Sequence, residues 1–385
     1  MQDFPGFWAT PDAHLLRHAP DHPVLYLSPE RLQATAQGFQ TGFDGLVTYA
    51  VKANDRAEVL DNLVAAGIHT FDVASPVEMA AVRHVLPDAT LHYNNPVRSP
   101  AEVAEGISLG VASWSIDDAS ELAKLSKLRR SAEIAVRFAL PVQGAAYDFG
   151  SKFGVDPAHA ARLLVQVADM GFEPSLCFHP GTQCLSPDPW GHYIHAAAQI
   201  VQAAGVRIKR LNVGGGFAAN RCGNAPDLRA VFDTITRATR TAFPIDPPKL
   251  ICEPGRAMVA EAFTLALRIK SLRANGQVMF LNDGIYGALA DLRDMGLTGR
   301  LRVMAPDGTR RQGAPVPRVV FGPTCDSLDR LPDGLAVPED AQASDYLILD
   351  GMGAYSCAMT TRFNGYGVHE VVTVRSTAGQ ATFKG

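Results

Sequence analysis

The 385-residue sequence lacks features that mark several common classes of protein. No apolar run approaches the length of a membrane span. The start, Met1-Gln-Asp-Phe-Pro, has neither the basic residues nor the apolar core of a signal peptide. The formal net charge is -4, so no basic excess points to nucleic acid or to an anionic membrane as a partner. We therefore expect a protein that binds neither.

Cysteine is scarce and unclustered. None of the six cysteines belongs to a C-x-x-C pair, so the sequence predicts no zinc site, no other metal site and no disulfide framework. A reducing, cytoplasmic location fits this pattern. Low-complexity tracts and repeats of fixed period are also absent. Hydrophobic residues make up 47% of the chain, which is enough to build a large core.

What the sequence contains instead is a regular alternation of short β-prone runs and helical patterns. Eight runs, from residues 45–51 to residues 249–252, are predicted as strands, and a helix follows each strand except the last. After the first strand, Asp55 and Glu58 form a predicted capping box for the next helix. Eightfold alternation is typical of a closed parallel (β/α)8 TIM-like barrel, with a doubly wound sheet as the alternative.

The alternation ends after Arg256. Six further strand-like runs follow without long helices between them, which indicates a mostly-β domain. Residues 1–22 are predicted to be irregular, and residues 23–27 form a strand that can join the late strands. The predicted domains are a segment over 1–44 that partly joins the β domain, a barrel over 45–256, and a C-terminal β-sandwich or β-barrel domain over 257–385.

A lysine lies at the end of the first predicted strand, in Tyr49-Ala-Val-Lys-Ala-Asn54. Inside a buried layer its charge would need a partner, and the commoner interpretation is an amine that extends to solvent. The alternative is that Lys52 is a nucleophile that forms a Schiff base. Active sites of barrels lie at the C-terminal ends of the strands, which is where this lysine stands.

Other polar residues follow the same ends of the predicted strands. Asp72 follows the second strand, His179 the sixth, and Glu253 with Arg256 the eighth. The triplet Gly214-Gly215-Gly216 follows the seventh strand, where barrels favour phosphate sites because glycines let backbone N–H groups approach closely.

This combination of residues indicates pyridoxal 5'-phosphate (PLP) as cofactor. PLP needs a lysine for its Schiff base, a phosphate site and an acidic partner for its ring nitrogen, for which Glu253 is the candidate. Taken singly, His179 is as well explained as a hydrogen-bonded residue at a strand end. Glu253 alone is as well explained as a helix cap or a partner of Arg256.

Eight short motifs run along nearly the whole chain. They are Tyr49-Ala-Val-Lys-Ala-Asn54, Phe71-Asp-Val-Ala-Ser75, His179-Pro-Gly-Thr-Gln183, Val213-Gly-Gly-Gly-Phe217, Glu253-Pro-Gly-Arg256, Gly322-Pro-Thr-Cys-Asp326, Asp350-Gly-Met-Gly-Ala-Tyr355 and Phe363-Asn-Gly-Tyr366. Together they resemble the group IV PLP-dependent decarboxylases of the alanine-racemase fold (fold type III), most of all the ornithine and lysine branch. The resemblance implies a carboxy-lyase that converts ornithine or lysine to a diamine in polyamine biosynthesis.

The resemblance also implies residue roles. Lys52 would hold PLP, with Asp72 nearby, His179 stacked on the ring and Glu253 at the ring nitrogen. The remaining cofactor-binding residues would be Thr182, Gly214, Gly215, Gly216, Gly255, Arg256 and Tyr355. Cys325 would return a proton to Cα after carbon dioxide leaves. Cys325 and the substrate-binding Asp326 would come from the partner subunit of a head-to-tail homodimer.

The chain departs from the family where the distal end of the substrate would bind. The family's carboxylate for the substrate amine lies downstream of a Tyr-Gly pair, here Tyr286-Gly287, and Asp294 comes one residue early. The resemblance still implies that Asp294 and Tyr286, with Asp326, bind the substrate. Pro180 also stands where Val or Ile is expected. The alternatives are a decarboxylase of another diamino acid (diaminopimelate, carboxynorspermidine, 2,4-diaminobutyrate or arginine) or a non-catalytic regulatory homologue. Asp rather than Glu after Cys325 favours the ornithine and lysine branch over diaminopimelate.

Overall fold

The computed structural model describes residues 7–141 and 152–377, which divide between two compact units. We call Thr35–Ala218 with Pro226–Met258 the barrel unit, and Met1–Ala34 with Ala219–Ala225 and Val259–Gly385 the β unit. The outer ends of the predicted flanking domains, residues 1–6 and 378–385, lie outside the described residues.

The barrel unit is built on a parallel sheet whose strands neighbour one another in chain order. Its strands are Leu46–Val47, Tyr49–Ala50, Thr70–Val73, Thr90–Tyr93, Ser113–Ile116, Glu133–Arg137, Glu173–Cys177, Arg210–Asn212 and Lys249–Cys252. The first two are halves of one strand, interrupted at Thr48. One half pairs with the last strand and the other with Thr70–Val73, so the sheet closes through this strand. The predicted eight-stranded barrel is confirmed.

Helices follow the barrel strands as the alternation predicts, and a short helix also follows the last strand, after which none was predicted. They are Ala57–Ala65, Pro76–Val85, Pro100–Ser108, Ala119–Lys124, Pro157–Asp169, Asp188–Ala204, Leu228–Ala242 and Arg256–Val259, and Pro29–Gly42 precedes the first strand. The predicted capping box at Asp55 is wrong. The first of these helices begins after Arg56, which makes no side-chain cap, and Glu58 pairs with the Arg56 guanidinium at 3.0 Å.

The β unit contains a nine-stranded mixed sheet in the described part of the chain. Its strands are Phe7–Trp8, Val24–Leu27, Phe263–Arg273, Val278–Leu281, Leu301–Met304, Pro315–Phe321, Leu335–Pro338, Tyr346–Asp350 and Glu370–Val374. The long strand Phe263–Arg273 pairs with Val24–Leu27 on one side and with Tyr346–Asp350 on the other. The early strand is therefore an internal member of this sheet.

Two short helices of the β unit were not predicted. Pro11–His18 lies where the sequence predicts irregular structure, and the Thr10 hydroxyl caps it by accepting from the N–H of Ala13 at 3.2 Å. The second, Ala290–Met295, has no side-chain cap, so the sequence contains no capping motif that would predict it. Across residues 7–141 and 152–377, none of the helices has the length and apolar character that a membrane crossing requires.

Candidate active site

Lys52 lies in a short 3-10 turn, Val51–Ala53, immediately after the first barrel strand. The hydroxyl of Tyr49 donates to the carbonyl oxygen of Asn54 at 2.8 Å and thereby fixes both ends of this turn. Nζ of Lys52 is 3.8 Å from Oδ2 of Asp72, which ends the second strand. The lysine side chain is 46% exposed and that of Asp72 only 4%, so the amine faces accessible space above a buried carboxylate.

Lys52 and Asp72 line a cavity of about 210 Å³ in the barrel unit. Asn94, Arg137, His179 and Glu253 also line it, and each stands at or directly after the C-terminal end of a different strand. The parallel sheet thus brings together four residues that the sequence singled out, Lys52, Asp72, His179 and Glu253. It adds an arginine and an asparagine that the sequence reasoning missed.

Glu253 is a buried carboxylate with organised neighbours. Its Oε1 accepts hydrogen bonds from the amides of Asn94, at 2.5 Å, and of Asn212. Burial raises the pKa of Glu253, and the nearby carboxylate of Asp72 raises it further, while the Lys52 ammonium lowers it. A positive charge or a hydrogen-bond donor that enters the cavity would therefore stabilise the ionised form of Glu253.

His179 is half-buried, and its imidazole is electrically neutral near neutral pH. Burial holds the pKa of its imidazole well below the usual value, and the positive charges of Lys52 and Arg137 act in the same direction. Nδ1 accepts from the N–H of Gly181 at 3.2 Å, which fixes the ring orientation. A neutral imidazole can lie against a flat aromatic ring without adding charge to the cavity.

The glycine triplet packs tightly against the loop that begins at His179. Gly214 and Gly216 have φ of +71° and +90°, a region that other residues rarely adopt. A Cβ on Gly215 would lie 2.9 Å from Nε2 of His179, and one on Gly216 would lie 2.9 Å from Cγ of Pro180. The unexpected Pro180 thus forms part of the wall behind the triplet.

The other predicted cofactor residues lie outside the cavity lining. Thr182 is half-buried in the loop after His179, and Arg256 is buried at the start of Arg256–Val259. A Cβ on Gly255 would lie 3.2 Å from Cβ of Ala53, so a side chain there would crowd the turn that carries Lys52. Tyr355 belongs to the β unit, where its φ is +64°.

The predicted substrate residues form a separate group in the β unit. The hydroxyl of Tyr286 donates to Oδ2 of Asp326 at 2.5 Å. The N–H of Cys325 donates to Oδ1 of Asn364 at 3.1 Å, and its thiol side chain is exposed. Asp294 does not join them by any hydrogen bond described, since its carboxylate binds the Arg293 guanidinium at 2.9 and 3.0 Å.

Two buried carboxylates lie beneath this exposed group. Asp329 accepts from the N–H of Ile285 at 3.0 Å and from the hydroxyl of Thr324 at 2.8 Å, so it joins the loops that carry Tyr286 and Cys325. Asp283 accepts from the N–H of Ala288 at 2.9 Å. Burial raises the pKa of Asp283 to about 6.

Comparison with known proteins identifies the family. The family model "Pyridoxal-dependent decarboxylase, pyridoxal binding domain" matches residues 29–260. This chain belongs to that family. The decarboxylase is 30% identical to the lysine/ornithine decarboxylase of Selenomonas ruminantium over 328 residues, which cover 83% of this chain and 81% of the relative.

Two further relatives agree with this assignment. The decarboxylase is 28% identical to ornithine decarboxylase of Rattus norvegicus over 345 residues, which cover 83% of this chain and 73% of the rat protein. A crystal structure of SrLDC with PLP and cadaverine superposes with a TM-score of 0.80 at 27% identity, covering 94% of this chain and 92% of that one. The protein is therefore a PLP-dependent amino-acid decarboxylase of the ornithine and lysine type.

The barrel cavity fits PLP. Lys52 would supply a primary amine for the cofactor's aldehyde, Glu253 a buried carboxylate for its ring nitrogen, and His179 a flat neutral ring. The glycine loop follows the seventh barrel strand, and its backbone approaches the site without side chains in the way.

Three residues in or beside this site were missed from the sequence: Asn94, Arg137 and Asn212. Each stands at or next to the end of a barrel strand, the same signal that drew attention to Asp72 and Glu253. Asparagine and arginine at strand ends are common in purely structural roles. Only the closed sheet shows that these three come close to one carboxylate.

Proposed function

We propose that this decarboxylase acts on ornithine or lysine and produces a diamine for polyamine biosynthesis in the cytoplasm. The convergence of Lys52, Asp72, His179 and Glu253 on one cavity carries the proposal. The names of the relatives, which include lysine/ornithine and ornithine decarboxylases, support the choice of substrate class. None of the six cysteines forms a disulfide in the part of the chain that the structure describes, in keeping with a reducing compartment.

In this proposal the barrel residues hold the cofactor. Bound PLP would supply an electron sink for the electron pair left at Cα when carbon dioxide departs. Lys52 is the covalent anchor, and the Asp72 carboxylate 3.8 Å away orients its amine. Glu253 keeps the proton on the ring nitrogen, because a buried carboxylate strongly favours a neighbouring positive charge. The glycine loop, Thr182 and Arg256 bind the phosphate.

The β unit supplies the groups for the substrate. Cys325 donates the proton that replaces the lost carboxylate, and its exposed thiol leaves it accessible. Asp326 binds the distal amine of the substrate as a carboxylate, since the Tyr286 hydroxyl lowers the pKa of Asp326. Asp294 contributes less, because Arg293 already neutralises it.

We further propose a head-to-tail homodimer in which Cys325 and Asp326 serve the partner's cavity. Apolar residues flank these two: Leu328 is 72% exposed and Phe363 is 42% exposed, which is characteristic of a surface that a second subunit covers. Mixing Lys52→Ala protein with Cys325→Ala protein tests this arrangement. Shared sites predict that the mixture regains up to about a quarter of wild-type activity, while each variant alone keeps about one per cent or less; no recovery would contradict them.

The substrate is tested by measuring carbon dioxide release from a panel of amino acids. The panel contains ornithine, lysine, 2,4-diaminobutyrate, arginine and diaminopimelate. We expect the highest kcat/KM for ornithine or lysine. A preference for arginine or diaminopimelate would reject the proposed substrate, and no release from any of them, with PLP bound, would favour the non-catalytic alternative.

A further inference from the structure

Two asparagine amides meet the buried carboxylate of Glu253. Nδ2 of Asn94 donates to Oε1 at 2.5 Å, and Nδ2 of Asn212 donates to the same oxygen. Asn94 also forms a side-chain hydrogen bond with Asp72. Ionised carboxylates only accept hydrogen bonds, so the NH2 end of the Asn94 amide must face these two carboxylates.

Both amides are fixed by further hydrogen bonds. Oδ1 of Asn212 accepts from the N–H of Gly214 at 2.9 Å, so this one side chain joins the glycine loop to Glu253. The backbone carbonyl of Asn94 accepts from the Ser115 hydroxyl at 2.8 Å. The Asn212 amide therefore cannot turn away from Glu253 without losing its contact with Gly214, and the Asn94 amide cannot turn away without losing its contact with Asp72.

Arg98 fixes the loop that carries Asn94. The residue is only 2% exposed. Its guanidinium donates to the carbonyl oxygens of Asn95 at 2.9 Å and of Ser115 at 2.5 Å, on two neighbouring strand ends. A buried arginine that binds backbone carbonyls makes a rigid support, because each lost contact leaves a buried polar group without its partner.

We propose that Asn94 and Asn212 are positioning residues that hold Glu253 by Oε1 and so present Oε2 to the ring nitrogen of PLP. The inference rests on the proposed role of Glu253. Both hydrogen bonds described for the Glu253 side chain end on Oε1, which leaves the second oxygen for a donor in the cavity. Amides suit this task because they orient a carboxylate without cancelling the charge that the ring nitrogen needs.

The two amides also stabilise the ionised form of Glu253, which its burial and the nearby Asp72 carboxylate destabilise. The charged and titratable groups around it are Lys52, Asp72, Arg137, Cys177, His179 and Cys252. Burial and Asp72 raise the pKa of Glu253, whereas the hydrogen bond from Asn212 lowers it. Removing an amide donor therefore favours the protonated acid, which can no longer pair with a protonated ring nitrogen.

The inference is tested first on the protein without cofactor. The pKa of the Glu253 carboxyl is measured by carbon-13 NMR, with its signal assigned through Glu253→Gln. We expect Asn94→Ala to raise this pKa by about one pH unit, the effect of losing one charge-assisted hydrogen bond. Asn94→Asp, which keeps the shape of the side chain but adds a third carboxylate, should raise it further. Circular dichroism confirms that each variant folds.

A matched control is Asn95→Ala, which changes the next residue. The amide of Asn95 donates to the backbone carbonyl of Ala74 at 3.3 Å rather than to Glu253. We expect this variant to leave the pKa of the Glu253 carboxyl unchanged. An unchanged titration in both folded Asn94 variants would overturn the proposal, as would an equal shift in the control.

A second measurement separates this inference from the role of Glu253. The dissociation constant of PLP is measured by fluorescence quenching for the wild type, Asn94→Ala and Glu253→Gln. We expect Asn94→Ala to weaken PLP binding about tenfold, in the same direction as Glu253→Gln. If the titration of Glu253 shifts but neither variant weakens PLP, the hydrogen bonds stand, while presentation of Glu253 to the ring nitrogen is overturned.

Discussion

The two groups of candidate functional residues differ in how far the surrounding protein encloses them. In the barrel unit the carboxylates of Asp72 and Glu253 are themselves buried, and amides hold one of them. In the β unit the thiol of Cys325 is exposed, and the buried carboxylates of Asp283 and Asp329 lie beneath the loops. The cofactor half of the chemistry is built into one closed barrel. In our proposal the substrate-binding residues stand on a surface that the partner subunit completes.

Loss of Lys52 gives the largest expected effect. Lys52→Ala should lower kcat/KM by on the order of 10⁴-fold or more, because the covalent anchor of the cofactor is lost. Steady-state carbon dioxide release measures this effect. Lys152→Ala is the matched control, since this lysine also lines the cavity, and its loss should cost far less. Equal losses in the two variants would argue against the special role of Lys52.

Loss of the exposed thiol should have the next largest effect. Cys325→Ala is expected to slow diamine formation by about 10²-fold, or to divert the product to an amino aldehyde with the amino group left on the cofactor, because the positioned proton donor is gone. Product analysis by mass spectrometry distinguishes these outcomes. Cys222→Ala removes the other exposed cysteine of the same unit and should leave rate and products unchanged. An unaltered rate and product for Cys325→Ala would remove it as proton donor.

The buried carboxyl group of Asp283 in the β unit predicts that the stability of the protein depends on pH. The pKa of Asp283 is raised to about 6 in the folded state. Between about pH 4 and about pH 6 the folded protein therefore keeps a proton on Asp283 that the unfolded protein has already released. Stability therefore falls as pH rises from about 4 to about 6, by up to roughly 3 kcal/mol from this group. Denaturant unfolding should show the stability of wild type relative to Asp283→Asn shrinking over this range. A constant difference would contradict the assignment.

Asp294 should give the smallest effect. Its carboxylate is exposed and paired with Arg293, so Asp294→Asn is expected to change KM by no more than about threefold. Steady-state kinetics with ornithine and lysine measure the change. Asp307→Asn, at an exposed turn of the same unit, provides the baseline for a surface charge. A tenfold rise in KM for Asp294→Asn alone would assign the distal amine to it.

Sequence reasoning reached further into the barrel than into the β unit. Each of Lys52, Asp72, His179 and Glu253 lies at or just after the end of a predicted strand. Their positions in the sequence alone therefore place them at one end of a barrel. The amides of Asn94 and Asn212 were not predicted, because their common contact joins residues 159 and 41 positions apart in the chain. The pairing of Asp294 with Arg293 depends on side-chain geometry in a short uncapped helix, which leaves little pattern in the sequence.

The central claim is that Lys52 anchors the cofactor in the barrel cavity. The PLP-loaded protein is reduced with borohydride, digested and mapped by mass spectrometry. If Lys52 is the anchor, we expect one pyridoxylated lysine, Lys52, and loss of the label in Lys52→Ala. A label on Lys152, or no label on protein whose absorbance shows bound PLP, would contradict it.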